Sequence, residues 1–504
     1  MTRSCETTRS QPSPRQIVDP SWADSTLRVA RGAHLADWYR TAVAAPAVID
    51  RGRLDALEAR ENARFVAERP KSMALLERSR RTMPRGVPMS WMDDLYEHPP
   101  VFVADGRGAY LTDVDGHSYL DMYVADMSAF CGHAPDLVVE AVQRRMAHGN
   151  QFLMPSEDSI AVAEHLAGRY GLPKWQFTLS ATQANTEVIR LARAATGREI
   201  ILMFDGKYHG HGDATLVVLE DGEVVPEEFG LPRWITGQAR IVGFNDIGAL
   251  EAALAPGDVA LVLAEPAMTN AGFILPEHGY HEALRRLTRD AGTLLAIDET
   301  HTLVTAYGGL TQEYGLEPDM LTIGKSIAAG VPLGAYGMTE DVASHIAPPG
   351  EHHVVSGVPI AQVSTGGTLF ANALSMAAGR AALLGVLTVE AFERTAELGR
   401  RMAEGLRASI EAARLPWSVV QVGAHAAYFF TDNAPRSGAE SRAVDDPRLR
   451  ALMRVWLANR GVWESGWWLG PTVSLAHTAD DVDGYVGLFG QCLADLVTAE
   501  QMQD

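Results

Sequence analysis

From about residue 136 onward, short apolar runs alternate with amphipathic helical stretches, and nothing else in the chain limits its fold so tightly. The runs are WQFTLS, EIILMF, ARIVGF, VALVLAEP, TLLAIDE, MLTIGK and GAYGMT. Each is short enough for a strand. Stretches such as NTEVIRLARAAT and GYHEALRRLTRDAG lie between them and repeat apolar residues at helical spacing. This alternation predicts an α/β domain with a mainly parallel sheet. Ligands of such sheets gather beyond the carboxyl ends of the strands. The residues that end each run are therefore the ones to read for chemistry.

The flanks read differently. Residues 1–25 are polar and rich in Ser, Thr, Pro and Arg, which predicts a disordered tail. Residues 26–135 form an N-terminal segment. It is helical through RLDALEARENARFVAE and KSMALLERSRR, then passes a Pro/Gly loop, PRGVPMSW. Short strand pieces follow in PVFVADG, GAYLTDVDG and SYLDMYV, with Asp-Gly pairs as hairpin signals. The large domain spans 136–373. Residues 374–504 predict a C-terminal small domain, mostly helical, with strand pieces and a closing helix. Within it 432–446, DNAPRSGAESRAVDD, reads as an exposed loop.

Composition removes several classes of function. The net charge is -20 and no Lys/Arg run stands out, so no nucleic-acid partner is expected. The opening MTRSCETTRSQPSPRQ lacks the apolar stretch of a secretory signal. No apolar run reaches the roughly 18 residues of a membrane span. Cys5, Cys131 and Cys492 fit neither a zinc site nor a disulfide framework. They read as reduced thiols, and the expected location is cytoplasmic.

Only four lysines occur, Lys71, Lys174, Lys207 and Lys325, so lysine chemistry has four candidates. Lys325 ends a buried strand in TIGKSIAAGVPLGAYG, among small residues. Burial there disfavours its charge, as a lysine that reacts with a carbonyl requires. A solvated turn lysine fits that stretch equally well. Asp298 ends the run TLLAIDE, where a carboxylate is costly unless paired. It suits a partner for a pyridinium nitrogen, or a plain helix cap. TLSATQAN turns from strand to helix through small residues. Ser180, Ala181 and Thr182 there offer amides to a phosphate, though ordinary helix caps look alike. In MFDGKYHGHGDAT, Tyr208 and His209 follow the next strand, and Tyr208 suits stacking on a flat ring. His209, His211 and Asp213 invite a metal reading, but their glycine-rich loop and the lack of a second ligand cluster rank it low, and no metal is expected. Together the four motifs supply an amine, a pyridinium partner, a phosphate cradle and a stacking aromatic.

From about Met83 to near the C-terminus the chain resembles the class III (ω-type) aminotransferases of pyridoxal-5′-phosphate (PLP) fold type I, within the glutamate-1-semialdehyde aminomutase-like branch. The resemblance rests on GAYLTDVDGHSYLDM, GHAPD, SATQAN, RLARAATGR, YHGH, LAEPAMTNAGFILP, IDETHT, GKSIAAGVPLGAYG and GGTLFANALSMAA. It implies a seven-stranded sheet between helices and a small α+β domain built from both terminal segments. It implies PLP held as a Schiff base on Lys325, which then shuttles a proton. Asp298 would hold the ring nitrogen, and Ala181 and Thr182 would bind the phosphate. Tyr208 would pack one ring face and Thr300 the other. His301 would reach the phenolic oxygen, and Glu265 would stand on the substrate side. Thr368 would bind the phosphate of a neighbouring subunit, which implies a homodimer with a shared site.

The chain departs from the family pattern in three places. SATQA replaces SGTEA, and the alanine restricts a backbone that glycine would free. DETHT replaces the commoner DEV-Q or DEV-M pattern. Near the C-terminus, GVWESGWWLGPT has no arginine where some relatives bind a substrate carboxylate. Trp467 and Trp468, with Trp91, are candidate pocket residues for a bulky or apolar substrate; burial in the core is the competing reading. Arg85 is an alternative carboxylate partner. The expected activity is amino transfer between an amine or amino acid and an aldehyde or ketone, in a ping-pong cycle. The alternative is an intramolecular aminomutase. A racemase or epimerase, or a non-catalytic PLP-fold protein, ranks lower.

Overall fold

The computed structural model describes residues 49–95, 98–346, 353–355, 358–360, 363–465 and 469–497. The tail expected over 1–25 lies outside the described residues, as do Cys5, Trp467 and Trp468.

The seven apolar runs form one sheet. Its strands are β1 (Lys174–Thr178), β2 (Ile200–Phe204), β3 (Ala239–Val242), β4 (Val259–Ala264), β5 (Leu294–Asp298), β6 (Met320–Ile323) and β7 (Gly334–Met338). Their spatial order is β1-β7-β6-β5-β4-β2-β3. All neighbours are parallel except β7, which runs antiparallel to both β6 and β1. Every residue of β4 is buried, as expected of a central strand covered on both faces. Leu261 and Leu263 point into one core, with Ala184 and Val188 of helix α1 (Ala181–Thr196). Val262 and Ala264 point into the other, with Leu284 and Leu287 of the helix Tyr280–Asp290.

The two ends of the chain meet in a second sheet. Strands Val103–Arg107, Tyr110–Asp113 and Ser118–Asp121 run antiparallel, and Val462–Trp463 joins the third in parallel. The turn between the first two falls at Gly108, with φ +60, and not at Asp105-Gly106 as the Asp-Gly signal predicts. Gly106 lies inside the strand because the His133 ring packs over it, about 3.1 Å from where a Cβ would stand. The expected helices appear as Arg51–Ala67 and Pro70–Ser79. Arg69, between them, is buried. It donates to Tyr119 Oη (2.8 Å) and Asn459 Oδ1 (3.2 Å), tying the N-terminal helices to the sheet and to the helix Pro447–Ala458.

The segment 432–446 is an exposed loop only in its first part, where Asp432, Asn433, Ala434 and Arg436 are exposed and outside any helix or strand. It contains the helix Gly438–Val444, capped by Ser437, and Asp445 and Asp446 are buried. Its polar residues serve ion pairs instead: Arg442 with Asp205 at 2.6 Å, and Arg450 with Asp445 at 2.8 Å. Among the described residues no single helix is long and apolar enough to cross a membrane.

Candidate active site

A cavity of about 340 Å³ opens beyond the carboxyl ends of β1, β2, β5 and β6. Ser180, Ala181, Thr182, Tyr208, His209, Glu265, Asp298, Thr300, His301 and Lys325 all line it. Trp91 does not, and Arg85 pairs with Asp93 (2.8 Å) and Asp94 (2.5 Å) on an exposed face. Among the described residues no cluster of His, Cys, Asp and Glu is arranged to hold a metal.

The wall at α1 is built for an anion. Ser180 caps the helix by accepting from the Gln183 amide, and the helical ladder begins only at Ala184 N–H to Ser180 O. The amides of Ala181 and Thr182 precede that ladder and stay available at the positive helix end. Ala181 sits in ordinary helical conformation, with its Cβ against Gly324, so no glycine is required there. Glycine is required at Gly210, where φ is +93 and a Cβ would collide with Thr182.

Asp298, at the end of β5, is fully engaged. Its Oδ2 accepts from His209 Nδ1 (2.9 Å) and Asn185 Nδ2 (2.8 Å), and its Oδ1 from the Thr300 amide (3.0 Å). Burial pushes its carboxyl up, but these partners outweigh burial and hold it at about 2. Asn185 is itself fixed by Thr322 of β6, at 2.8 Å. A permanent carboxylate at the base of the cavity suits a group with a protonated ring nitrogen. The Tyr208 phenol is pushed to about 12 by burial and nearby carboxylates, so its ring stays neutral.

Lys325 follows β6 in a left-handed conformation, φ +53. Its Nζ donates to His301 Nε2 (2.6 Å), to the Asp126 carbonyl (3.0 Å) and to the Asp126 carboxylate. An ammonium has no acceptor, so His301 Nε2 must accept. His301 Nδ1 then donates to Thr269 Oγ1 (2.6 Å), whose hydroxyl donates to Glu265. One directed line of hydrogen bonds therefore runs from Lys325 to Glu265. His209 Nε2, Thr300 Oγ1 and Glu265 Oε1 are buried without partners, as polar atoms that await a bound molecule would be.

Several functional residues lie outside the sequence reading. Asn185 lies on the buried face of its helix, and Thr269 opens the short 3-10 turn Thr269–Ala271, so neither carries a strand-end signal. Asp126 comes from the N-terminal segment, far from Lys325 in sequence, and no local pattern links the two.

The model of the class III aminotransferases, "Aminotransferase class-III", matches residues 92–463. The chain belongs to that family. Its cofactor is PLP, and the anion cradle, Asp298 and Lys325 fit the phosphate, ring nitrogen and aldehyde of that molecule. Glutamate-1-semialdehyde 2,1-aminomutase of Gemmatimonas aurantiaca is 36% identical over 78% of this chain and 88% of that protein. The Sorangium cellulosum protein of that name is 35% identical, over 84% and 96%. Among solved structures, a glutamate-1-semialdehyde aminomutase from Pseudomonas aeruginosa has a TM-score of 0.84 at 37% identity, covering 89% of this chain and all (100%) of that one. A lysine-to-alanine variant of it, in complex with PMP, matches equally. An omega-transaminase from Sphaerobacter thermophilus has a TM-score of 0.78 at 31% identity, over 84% and 97%. The large domain is thus of PLP fold type I. The relatives' names favour the aminomutase alternative over the transaminase reading.

Proposed function

We propose that the protein moves an amino group within one small molecule, as an intramolecular aminomutase, with PLP carried on Lys325. The observation that carries this reading is the similarity to glutamate-1-semialdehyde aminomutases at 35–37% identity across nearly their whole length. When bound, PLP supplies an electron sink that makes the hydrogen on the amine-bearing carbon removable. The chain's own residues do the rest. Asp298 holds the ring nitrogen protonated, and His209 and Asn185 keep Asp298 ionised and oriented. Ala181 and Thr182 anchor the phosphate. Lys325 Nζ takes and returns the proton at the reacting carbon, with His301 fixing its position and Thr269 and Glu265 fixing the His301 tautomer.

An amine-to-carbonyl transaminase is the second reading, favoured by the likeness to the Sphaerobacter enzyme. The two readings share every residue above. They differ in whether the product takes its nitrogen from a second molecule. Amino-aldehydes, glutamate 1-semialdehyde included, are supplied to the PLP-loaded protein with and without ¹⁵N-alanine. An aminomutase converts one of them without alanine and leaves the product unlabelled. A product that forms only with alanine and carries ¹⁵N establishes the transaminase instead.

The assembly proposed is a homodimer in which Thr368, exposed on the single chain, binds the phosphate of the partner subunit.

A further inference from the structure

Asp126 belongs to none of the roles above, yet it sits on the reacting lysine. Its position is built, and at a conformational cost. Strand Ser118–Asp121 ends in Asp121, whose carboxylate accepts from the amides of Tyr123 (3.2 Å) and Val124 (2.8 Å) and from His133 Nε2 (2.8 Å). The next four residues, Val124, Ala125, Asp126 and Met127, all have φ between +46 and +67. None is glycine, and L-residues rarely follow one another there. Val124 and Met127 are buried at 2% and 1% exposure, so core packing holds the turn in place. The turn sets Asp126 against Lys325 and His301, two residues that line the cavity.

One oxygen of Asp126 meets Lys325 Nζ and lies 3.6 Å from His301 Nε2. The other, Oδ1, is buried without a partner. Burial pushes the Asp126 carboxyl up, but the Lys325 ammonium beside it holds it well below the usual carboxylate range. The surroundings are acidic, since Glu265 and Asp298 line the cavity that Lys325 faces. No arginine is among the described residues that do. For Lys325 to take a proton from the reacting carbon its nitrogen must be a neutral amine, and the cofactor's phosphate would add further negative charge. Asp126 is then a partly buried carboxylate beside the reacting nitrogen, short of a cation. Such a group is stable only with a new positive partner.

We propose that Asp126 sets the specificity of the site by binding a second ammonium group on the amine that reacts at Lys325. The substrate class is a primary amine with another positive charge a short linker away. An amine with a carboxylate at that distance is disfavoured. This rests on the reading of Lys325 as the PLP lysine.

The test compares the PLP-loaded wild type with Asp126→Asn. Asparagine keeps the shape and tolerates a left-handed backbone. Three length-matched amines are used: 1,3-diaminopropane, propylamine and 3-aminopropanoate. Stopped-flow decay of the visible band of the bound cofactor gives the rate for each. Calorimetry with N,N,N′,N′-tetramethyl-1,3-propanediamine, a dication that cannot react, gives binding alone. In the wild type the diamine should lead propylamine by at least about tenfold, the scale of one hydrogen bond to a charged group, with 3-aminopropanoate last. Asp126→Asn should erase that lead, raise 3-aminopropanoate and weaken the unreactive dication by about tenfold or more. An unchanged order in Asp126→Asn overturns the proposal. So does a wild type that holds the cofactor on Lys325 and does not favour 1,3-diaminopropane over propylamine. Absence of a visible band that borohydride fixes to Lys325 overturns the PLP reading itself. Circular dichroism and the visible band establish that Asp126→Asn is folded and loaded.

Discussion

At the scale of single residues, the site separates into groups that react and groups that hold them. Lys325→Ala is expected to abolish the borohydride-fixed adduct while leaving the fold intact, as read by peptide mass mapping and circular dichroism. Asn185→Ala removes one of the three donors to Asp298. The expected loss is about 1–3 kcal/mol of cofactor binding, measured by equilibrium titration with PLP. The pH dependence follows from the same contacts. The Asp298 carboxyl is depressed from 3.8 to about 2. Its contribution to the folded state is complete above the unfolded value, and it is lost as pH falls toward 2. Acid unfolding of the wild type should therefore steepen below about pH 4. Asp298→Asn should lose this component in a fluorescence titration; an identical profile would rule it out. Lys325, Asp298, Tyr208 and the Ala181–Thr182 cradle were legible because each closes a strand-like run. Asp126, Asn185 and Thr269 were not, because their roles arise only when distant segments are packed together.

At the scale of elements, strand and helix positions followed from hydrophobic periodicity, whereas the polar connections did not. The central runs of the large sheet, such as that of β4, read correctly because burial on both faces writes itself as unbroken apolar sequence, and the edge strands β1 and β3 through alternation. The segment 432–446 misled for the opposite reason. In its second part Arg442, Asp445 and Asp446 pair with Asp205, Arg450 and Arg51, and sequence does not say whether a charge meets water or a counter-ion. Helix packing yields a paired prediction of opposite sign. In the helix Val389–Ala412, a Cβ on Gly399 would run into the Gly423 carbonyl and the Ala424 backbone. In the helix Ala479–Leu496, nothing lies within 4 Å of a Cβ on Gly487. Gly487→Ala should stabilise by up to about 1 kcal/mol through helix propensity. Gly399→Ala should destabilise by about 1–3 kcal/mol through overpacking, despite the same intrinsic gain. Denaturant midpoints measure both, and equal shifts would contradict this packing.

At the scale of the whole molecule, the site draws on segments far apart in the chain. The central sheet supplies Asp298 and Lys325, and the N-terminal segment supplies Asp126. In the proposed dimer Thr368 comes from the partner. Complementation tests that arrangement. Lys325→Ala and Thr368→Ala chains, each impaired alone, should regain activity when refolded together, because one of the two sites in a mixed dimer is then intact. No recovery in mixtures that light scattering shows to be dimeric would place Thr368 in its own subunit's site. Gross architecture was legible from sequence because it follows from alternation and length. The joining of the two ends in one small sheet was legible only through family resemblance, since Val462–Trp463 is too short to announce its partner.

That small sheet also sets an order of events during synthesis. The strand Ser118–Asp121, which leads into the turn bearing Asp126, is completed on one edge by Val462–Trp463. These residues leave the ribosome long after the strand they join. A nascent chain that has emerged to residue 400 already carries the cradle, Asp298 and Lys325. It still lacks the edge that seats the Asp126 turn. The groups that hold the cofactor are therefore made first, and the group proposed to choose the substrate is locked in place only as translation ends.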